Sequence, residues 1–218
     1  MTGSHTPVRA VVFDLDGTLV DSMAVVPQVY VDTIRSLGGP LVSPKQVVAA
    51  WHAGPTRTVL AHFLGRTVTD DDLARYYERL EAVTATVQVF PGVVEMLRAL
   101  RREGYPLGVF TAATRRGASR VLATTGLGEY LPVLVGGDET ALPKPAPEGL
   151  ELACRRMGVP VADVAYVGDA DVDHRCATAA GAVSIQASWA GSGVTGTPSP
   201  LVARHPGEVV ELLRRASR

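Results

Sequence analysis

Long apolar runs are missing from this chain: no stretch of its 218 residues approaches the roughly 20 that a membrane-spanning helix needs. Residues 1–10 also lack the apolar segment of a signal peptide. A cytoplasmic location with no membrane partner is the expectation. A basic stripe is missing too. The arginines are scattered among 22 acidic residues, the formal net charge is −1, and only local pairs occur, Arg101-Arg102, Arg115-Arg116, Arg155-Arg156 and Arg214-Arg215. Nucleic acid is therefore not an expected partner, and such pairs read as solvated helix termini. Cysteine is scarce. Cys154 and Cys176 fall in predicted helices, with no metal-ligand spacing to another Cys or to a paired His, so buried thiols are expected in place of a disulfide. Lysine is equally scarce, two residues against 19 arginines. No internal repeat is apparent.

What is present includes enough apolar material, 46% of residues, to bury a substantial core in one domain carrying an insertion. The run Val8 to Phe13, broken only by Arg9, predicts a buried strand, and Asp14-Leu15-Asp16-Gly17-Thr18 follows at its carboxyl end. In open α/β sheets ligands bind outside the carboxyl ends of the strands. Residues i and i+2 of an extended segment point the same way, so Asp14 and Asp16 converge. Gly17 permits a tight turn or close backbone approach, and Thr18 can brace it.

From Met23 to about Gln88 the pattern is helical in pieces, Val25 to Leu37, Pro44 to His52, Thr56 to Leu64 and Asp70 to Thr86, with no convincing strand. Gly38-Gly39-Pro40, Gly54-Pro55 and Gly65 divide it, and Thr69-Asp70-Asp71-Asp72 is an acidic helix start. Beyond Phe90-Pro91-Gly92 helices and strands alternate: helix 92–103, strand 106–110, helix 115–125, strand 133–136, helix 147–157, strand 164–168, helix 173–180 and strand 182–186. Such alternation implies right-handed crossovers and a parallel sheet. The expected architecture is a Rossmann-like, doubly wound α/β core formed by residues 1–20 and 90–218. An all-helical cap, residues 21–89, is inserted into it. Residues 191–200 read as a Gly, Ser, Thr and Pro-rich loop, and Glu208 to Arg215 as a closing amphipathic helix.

Four segments carry a resemblance. Val12-Phe13-Asp14-Leu15-Asp16-Gly17-Thr18-Leu19-Val20-Asp21-Ser22 resembles the first motif of the haloacid dehalogenase-like superfamily, especially its phosphoglycolate phosphatase and β-phosphoglucomutase branch. Leu107-Gly108-Val109-Phe110-Thr111 matches the second motif, a hydroxyl residue ending an apolar strand. Leu142-Pro143-Lys144-Pro145-Ala146-Pro147 matches the third, and Val164-Ala165-Tyr166-Val167-Gly168-Asp169-Ala170-Asp171-Val172-Asp173 the fourth. All four appear in the family order. Lys144 stands out independently, because an arginine-rich chain places one of its two lysines between two prolines that stiffen the backbone. Lys45, at a Ser-Pro helix start, is expected to be exposed and without chemistry.

The resemblance implies an enzyme for small phosphorylated metabolites. Asp14 would attack phosphorus to form an aspartyl-phosphate, and Asp16 would protonate the leaving oxygen and then activate water. Asp14, Asp169 and the backbone carbonyl of Asp16 would hold Mg2+. Thr111 and Lys144 would bind nonbridging phosphate oxygens, and Asp173 would orient Lys144 or a water on the metal. In the cap, Trp51, His52 and Arg57 fall where relatives carry a substrate-recognition loop. Arg57 would grip a carboxylate or second phosphate, and Trp51 or His52 would pack on a sugar; an ordinary turn with a buried Trp accounts for the same segment. His174 adjoins the fourth motif, whereas His5, His62 and His205 read as structural or solvent-facing. The acid at Asp16 disfavours dehalogenation and phosphonate cleavage. A phosphatase is the expected activity, with a phosphomutase of the β-phosphoglucomutase type as the alternative and a silent binding protein behind both. The chain is expected to be a monomer or homodimer.

Overall fold

The computed structural model describes residues 7–190, 199 and 201–216. Strand β1 (Ala10–Phe13) buries all four side chains. Val11 and Phe13 enter one hydrophobic cluster, while Ala10 and Val12 enter another. The period of two thus places apolar groups on both faces, as a strand covered by helices on each side requires.

Strand β2 (Val20–Asp21) precedes four helices, α1 (Val26–Ser36), α2 (Pro44–Ala50), α3 (Thr56–Leu64) and α4 (Asp70–Thr84). The chain returns through β3 (Gln88–Val89), antiparallel to β2. This ribbon was not anticipated, since two-residue strands leave no periodic signal. The segment expected as one helix from Pro44 to His52 breaks after Ala50 into a single 3-10 turn, Trp51–Ala53. Sequence signals set the helix starts: Ser43 and Thr69 accept from the backbone N–H groups of Gln46 and Asp72, whose side chains accept from the cap residues in return. The four helices share their own cluster, in which Ile34, Val59 and Leu60 are fully buried.

The remainder alternates: α5 (Val93–Arg102), β4 (Leu107–Phe110), α6 (Arg115–Thr124), β5 (Val133–Val135), α7 (Glu148–Met157), β6 (Val164–Gly168), α8 (Asp171–Ala180), β7 (Val183–Ala187), β8 (Leu201–Ala203) and α9 (Pro206–Ala216). The sheet runs β5-β4-β1-β6-β7-β8 with every pair parallel. Helices α5, α6 and α9 cover one face, and α7 and α8 cover the other. The core is therefore the doubly wound α/β fold expected. Strand β8 was not foreseen, and α8 starts two residues earlier than read. The loop expected over 191–200 lies outside the described residues except for Ser199. Among the described residues no helix is long and apolar enough to cross a membrane. Cys154 and Cys176 are free and buried, as expected.

The histidines with described contacts make local ones. His174 Nδ1 lies 3.0 Å from Ser184 Oγ, His205 lies 3.3 Å from Glu208, and His62 packs edge-on against Phe63.

Candidate active site

Strand β1 lies in the middle of the sheet, with β4 on one side and β6 on the other. The carboxyl ends of these three strands face one crevice, the place where such sheets bind ligands. Asp14 continues β1, its N–H donating to the Val167 carbonyl at 2.8 Å. Leu15 turns into the core and is fully buried, so Asp14 and Asp16 share the opposite side. Gly17 then takes φ +85°, and a Cβ there would lie 2.5 Å from Asp169 Oδ2. Only glycine combines that backbone with that approach.

Lys144, from the loop before α7, is the hub. Its Nζ donates to Asp14 Oδ1 at 2.6 Å and to Asp173 Oδ1 at 2.7 Å. The ammonium also lies 4.9 Å from the Phe110 ring centroid and 5.2 Å from that of Tyr166, both favourable for a cation. Tyr166 OH donates to the Phe110 carbonyl at 2.9 Å and approaches Asp173 Oδ1 at 3.2 Å. The other Asp173 oxygen accepts from the Ala170 N–H at 3.1 Å. Asp173 is thereby fixed to hold Lys144.

Asp16 is held separately. Its carboxylate accepts from Ser22 Oγ at 2.5 Å and from Thr111 Oγ1 at 3.4 Å. Thr111, ending β4, is 1% exposed, and its hydroxyl also accepts from the Ala113 N–H at 3.1 Å. Thr18 Oγ1 donates to Asp169 Oδ1 at 3.2 Å. The structure thus brings together all six core positions singled out from the sequence: Asp14, Asp16, Thr111, Lys144, Asp169 and Asp173. Ser22, Phe110 and Tyr166 were missed as partners. A tyrosine inside a buried strand was the available signal, because its hydroxyl needs an acceptor.

Electrostatics explain what this cluster wants. Four carboxylates surround one ammonium. Burial alone would pull the Lys144 pKa down, but Asp14 and Asp173 hold it above its ordinary range, so it stays charged. Burial, with Asp173, Asp169 and Asp16 adding to it, pushes Asp14 well up against the pull of Lys144. Asp169 is pushed up to about 6 by burial and by Asp173. Burial also raises Asp16, more than its bonds to Ser22 and Thr111 lower it. Asp14, Asp169 and Asp173 each place a ligand atom within 4.8 Å of the others. Hard oxygen donors carrying excess negative charge suit a hard divalent cation.

Above this edge α1, α2 and α4 complete a cleft of about 500 Å³, to which Tyr30, Trp51 and Tyr76 contribute. Trp51 packs near Tyr30, with ring centroids 6.4 Å apart. The side chain of His52 lies outside the described residues. Arg57 does not line the cleft: it donates to the Val68 carbonyl and pairs with Asp70 at 2.5 Å, at the start of α4. The acidic helix start draws it outward. A bond between Tyr77 OH and Thr114 Oγ1, 2.5 Å, joins α4 to the N-terminus of α6.

Comparison with known proteins agrees with this geometry. Residues 8–181 match the haloacid dehalogenase-like hydrolase family. The chain is 39% identical to a plasmid-encoded phosphoglycolate phosphatase of Cupriavidus necator, over 80% of this chain and 78% of that protein. It is 31% identical to a phosphoglycolate phosphatase of Pseudomonas savastanoi pv. phaseolicola, over 95% of this chain and 78% of that one. CbbY from Rhodobacter sphaeroides, solved in complex with phosphate, superposes with a TM-score of 0.81 at 21% identity, covering 93% of this chain and 96% of that one. The matched region carries β1, Lys144 and the Asp169–Asp173 turn together, and the chain belongs to the haloacid dehalogenase-like hydrolases.

Proposed function

We propose that this hydrolase is a Mg2+-dependent phosphatase acting on small phosphomonoesters through an aspartyl-phosphate on Asp14. The carrying observation is the separation of the two carboxylates of the first motif. Asp14 pairs with an ammonium and lies beside Asp169 and Asp173, whereas Asp16 is bound to two hydroxyls. Two neighbouring carboxyl groups held by different partners support a nucleophile beside an acid–base group.

Asp14 attacks phosphorus as the ester P–O bond breaks, and Asp16 gives its proton to the departing oxygen. Asp16, now a carboxylate, takes a proton from water as that water attacks phosphorus, which frees Asp14 and inorganic phosphate. Lys144 and the Thr111 hydroxyl bind the nonbridging oxygens and stabilise charge on the transferring group. Asp14, Asp169 and the Asp16 carbonyl would hold Mg2+, which supplies positive charge that lets an anionic carboxylate approach an anionic phosphate. The helices α1–α4 act as a cap that limits water, and Trp51 contributes to substrate contact. The names of the Cupriavidus and Pseudomonas relatives support a phosphate ester as substrate.

Phosphate release from a panel of phosphomonoesters tests this reading. Wild type is expected to release phosphate with Mg2+ present and to stop with EDTA, and Asp14→Asn is expected to be inactive. Silence across the panel would overturn it.

A further inference from the structure

The cleft has two walls of opposite character, and the helical one carries information about the leaving group. Among the described lining residues Lys144 supplies the only cationic side chain, and its ammonium is engaged by Asp14 and Asp173. The wall facing it is built from Met23, Val26, Val48, Trp51 and Leu80. A carboxylate or second phosphate on the substrate would be desolvated against this wall with no cationic partner, in a cleft lined by five aspartates. Burying an unpaired anion is strongly unfavourable.

The same wall offers neutral polar groups in one strip. Tyr30 OH donates to Thr56 Oγ1 at 3.1 Å, and the Tyr30 and Tyr76 rings lie 4.7 Å apart. Burial pushes the Tyr30 phenol up to about 12 and holds Tyr76 well above the ordinary phenol range, so both stay neutral. Trp51 adds an indole Nε1–H that is buried with no acceptor among the described residues. Cleft volumes of about 300–1,000 Å³ suit ligands of drug size, and about 500 Å³ far exceeds the needs of a two-carbon acid.

We propose that the cleft selects phosphomonoesters of uncharged, ring-bearing alcohols, whose apolar face packs on the Val48–Trp51–Leu80 wall and whose oxygens meet the Tyr30–Thr56–Tyr76 strip. Esters bearing a second anion are rejected. This rests on the phosphatase reading and narrows it. Aromatic faces and apolar side chains favour a flat ring through buried area, and a missing charge partner disfavours the anion.

Steady-state kinetics of the full chain with Mg2+ on four alkyl esters test the proposal: phenethyl phosphate, glycerol phosphate, phosphoglycolate and a hexose bisphosphate. Phenethyl phosphate is expected to exceed phosphoglycolate in kcat/KM by about 10²-fold, with glycerol phosphate between them. Equal or higher kcat/KM for phosphoglycolate or the bisphosphate would overturn the selectivity while leaving the phosphatase intact. No release from any of these or from nitrophenyl phosphate would overturn the phosphatase reading and the selectivity with it. Val48→Arg, and Met23→Arg at a position 42% exposed and tolerant of charge, are each expected to raise the phosphoglycolate to phenethyl ratio about tenfold or more. An equal loss on all substrates in folded variants would contradict the assigned wall.

Discussion

The two sides of the cleft differ in almost every physical respect. The sheet edge gathers Asp14, Asp16, Asp169, Asp173 and Lys144 in one cleft, with Lys144 bonded to both Asp14 and Asp173 and these three each under 9% exposed. The helical side presents Val26, Val48, Trp51 and Leu80, with neutral hydroxyls among them. One side is organised around charge and the other around its exclusion. The proposed chemistry belongs to the first, and the proposed choice among substrates to the second.

The largest effect is expected at the proposed nucleophile. Asp14→Asn keeps the shape and removes the attacking charge, and kcat is expected to fall about 10⁴-fold or more, measured by phosphate release. Lys144→Ala follows. It removes the proposed phosphate-binding donor, with kcat expected to fall about 10²–10³-fold, and leaves Asp14 and Asp173 buried without their cation, at a cost of about 3–5 kcal/mol in denaturant unfolding. Gly17→Ala forces a side chain onto a φ of +85° against Asp169. Its expected loss is about 1–3 kcal/mol with weakened Mg2+ binding.

The pH response sharpens the comparison. Asp169 titrates near 6 in the folded protein, above the ordinary carboxyl value of 3.8. The metal-free fold therefore binds this proton more tightly than the unfolded chain, and its stability rises as pH falls from above 6 toward about 4. In the proposed site Mg2+ requires the Asp14 and Asp169 carboxylates, so its affinity is expected to drop at least tenfold per pH unit below about 6. Calorimetric titration with and without metal checks both signs. The smallest effect lies on the helical side. Trp51→Phe removes a donor that lacks an acceptor among the described residues, so stability is expected to change by about 1 kcal/mol or less, with KM rising and kcat held.

Legibility in the sequence followed the same division. The sheet edge was readable because each strand that carries it is mainly apolar, so Phe13, Phe110 and Gly168 mark where β1, β4 and β6 end and where the polar residues Asp14, Thr111 and Asp169 begin. The convergence of Asp14 with Lys144, 130 positions apart, followed from parallel topology. The helical side resisted. Arg57 has the right charge and the right neighbourhood in the chain, yet the segment that opens α4 takes it, through Asp70 and the Val68 carbonyl. Tyr166 was legible as a core residue and not as a partner of Asp173, since its hydroxyl bond depends on where α8 begins. Strands β2, β3 and β8 were too short to show a period.

Covalent trapping tests the central claim most directly. Wild type quenched in acid during turnover and mapped by mass spectrometry is predicted to carry a phosphoryl group on the peptide containing Asp14, absent in Asp14→Asn. A turning-over enzyme that carries no phosphoryl group, or carries it on a residue other than Asp14, would contradict the account.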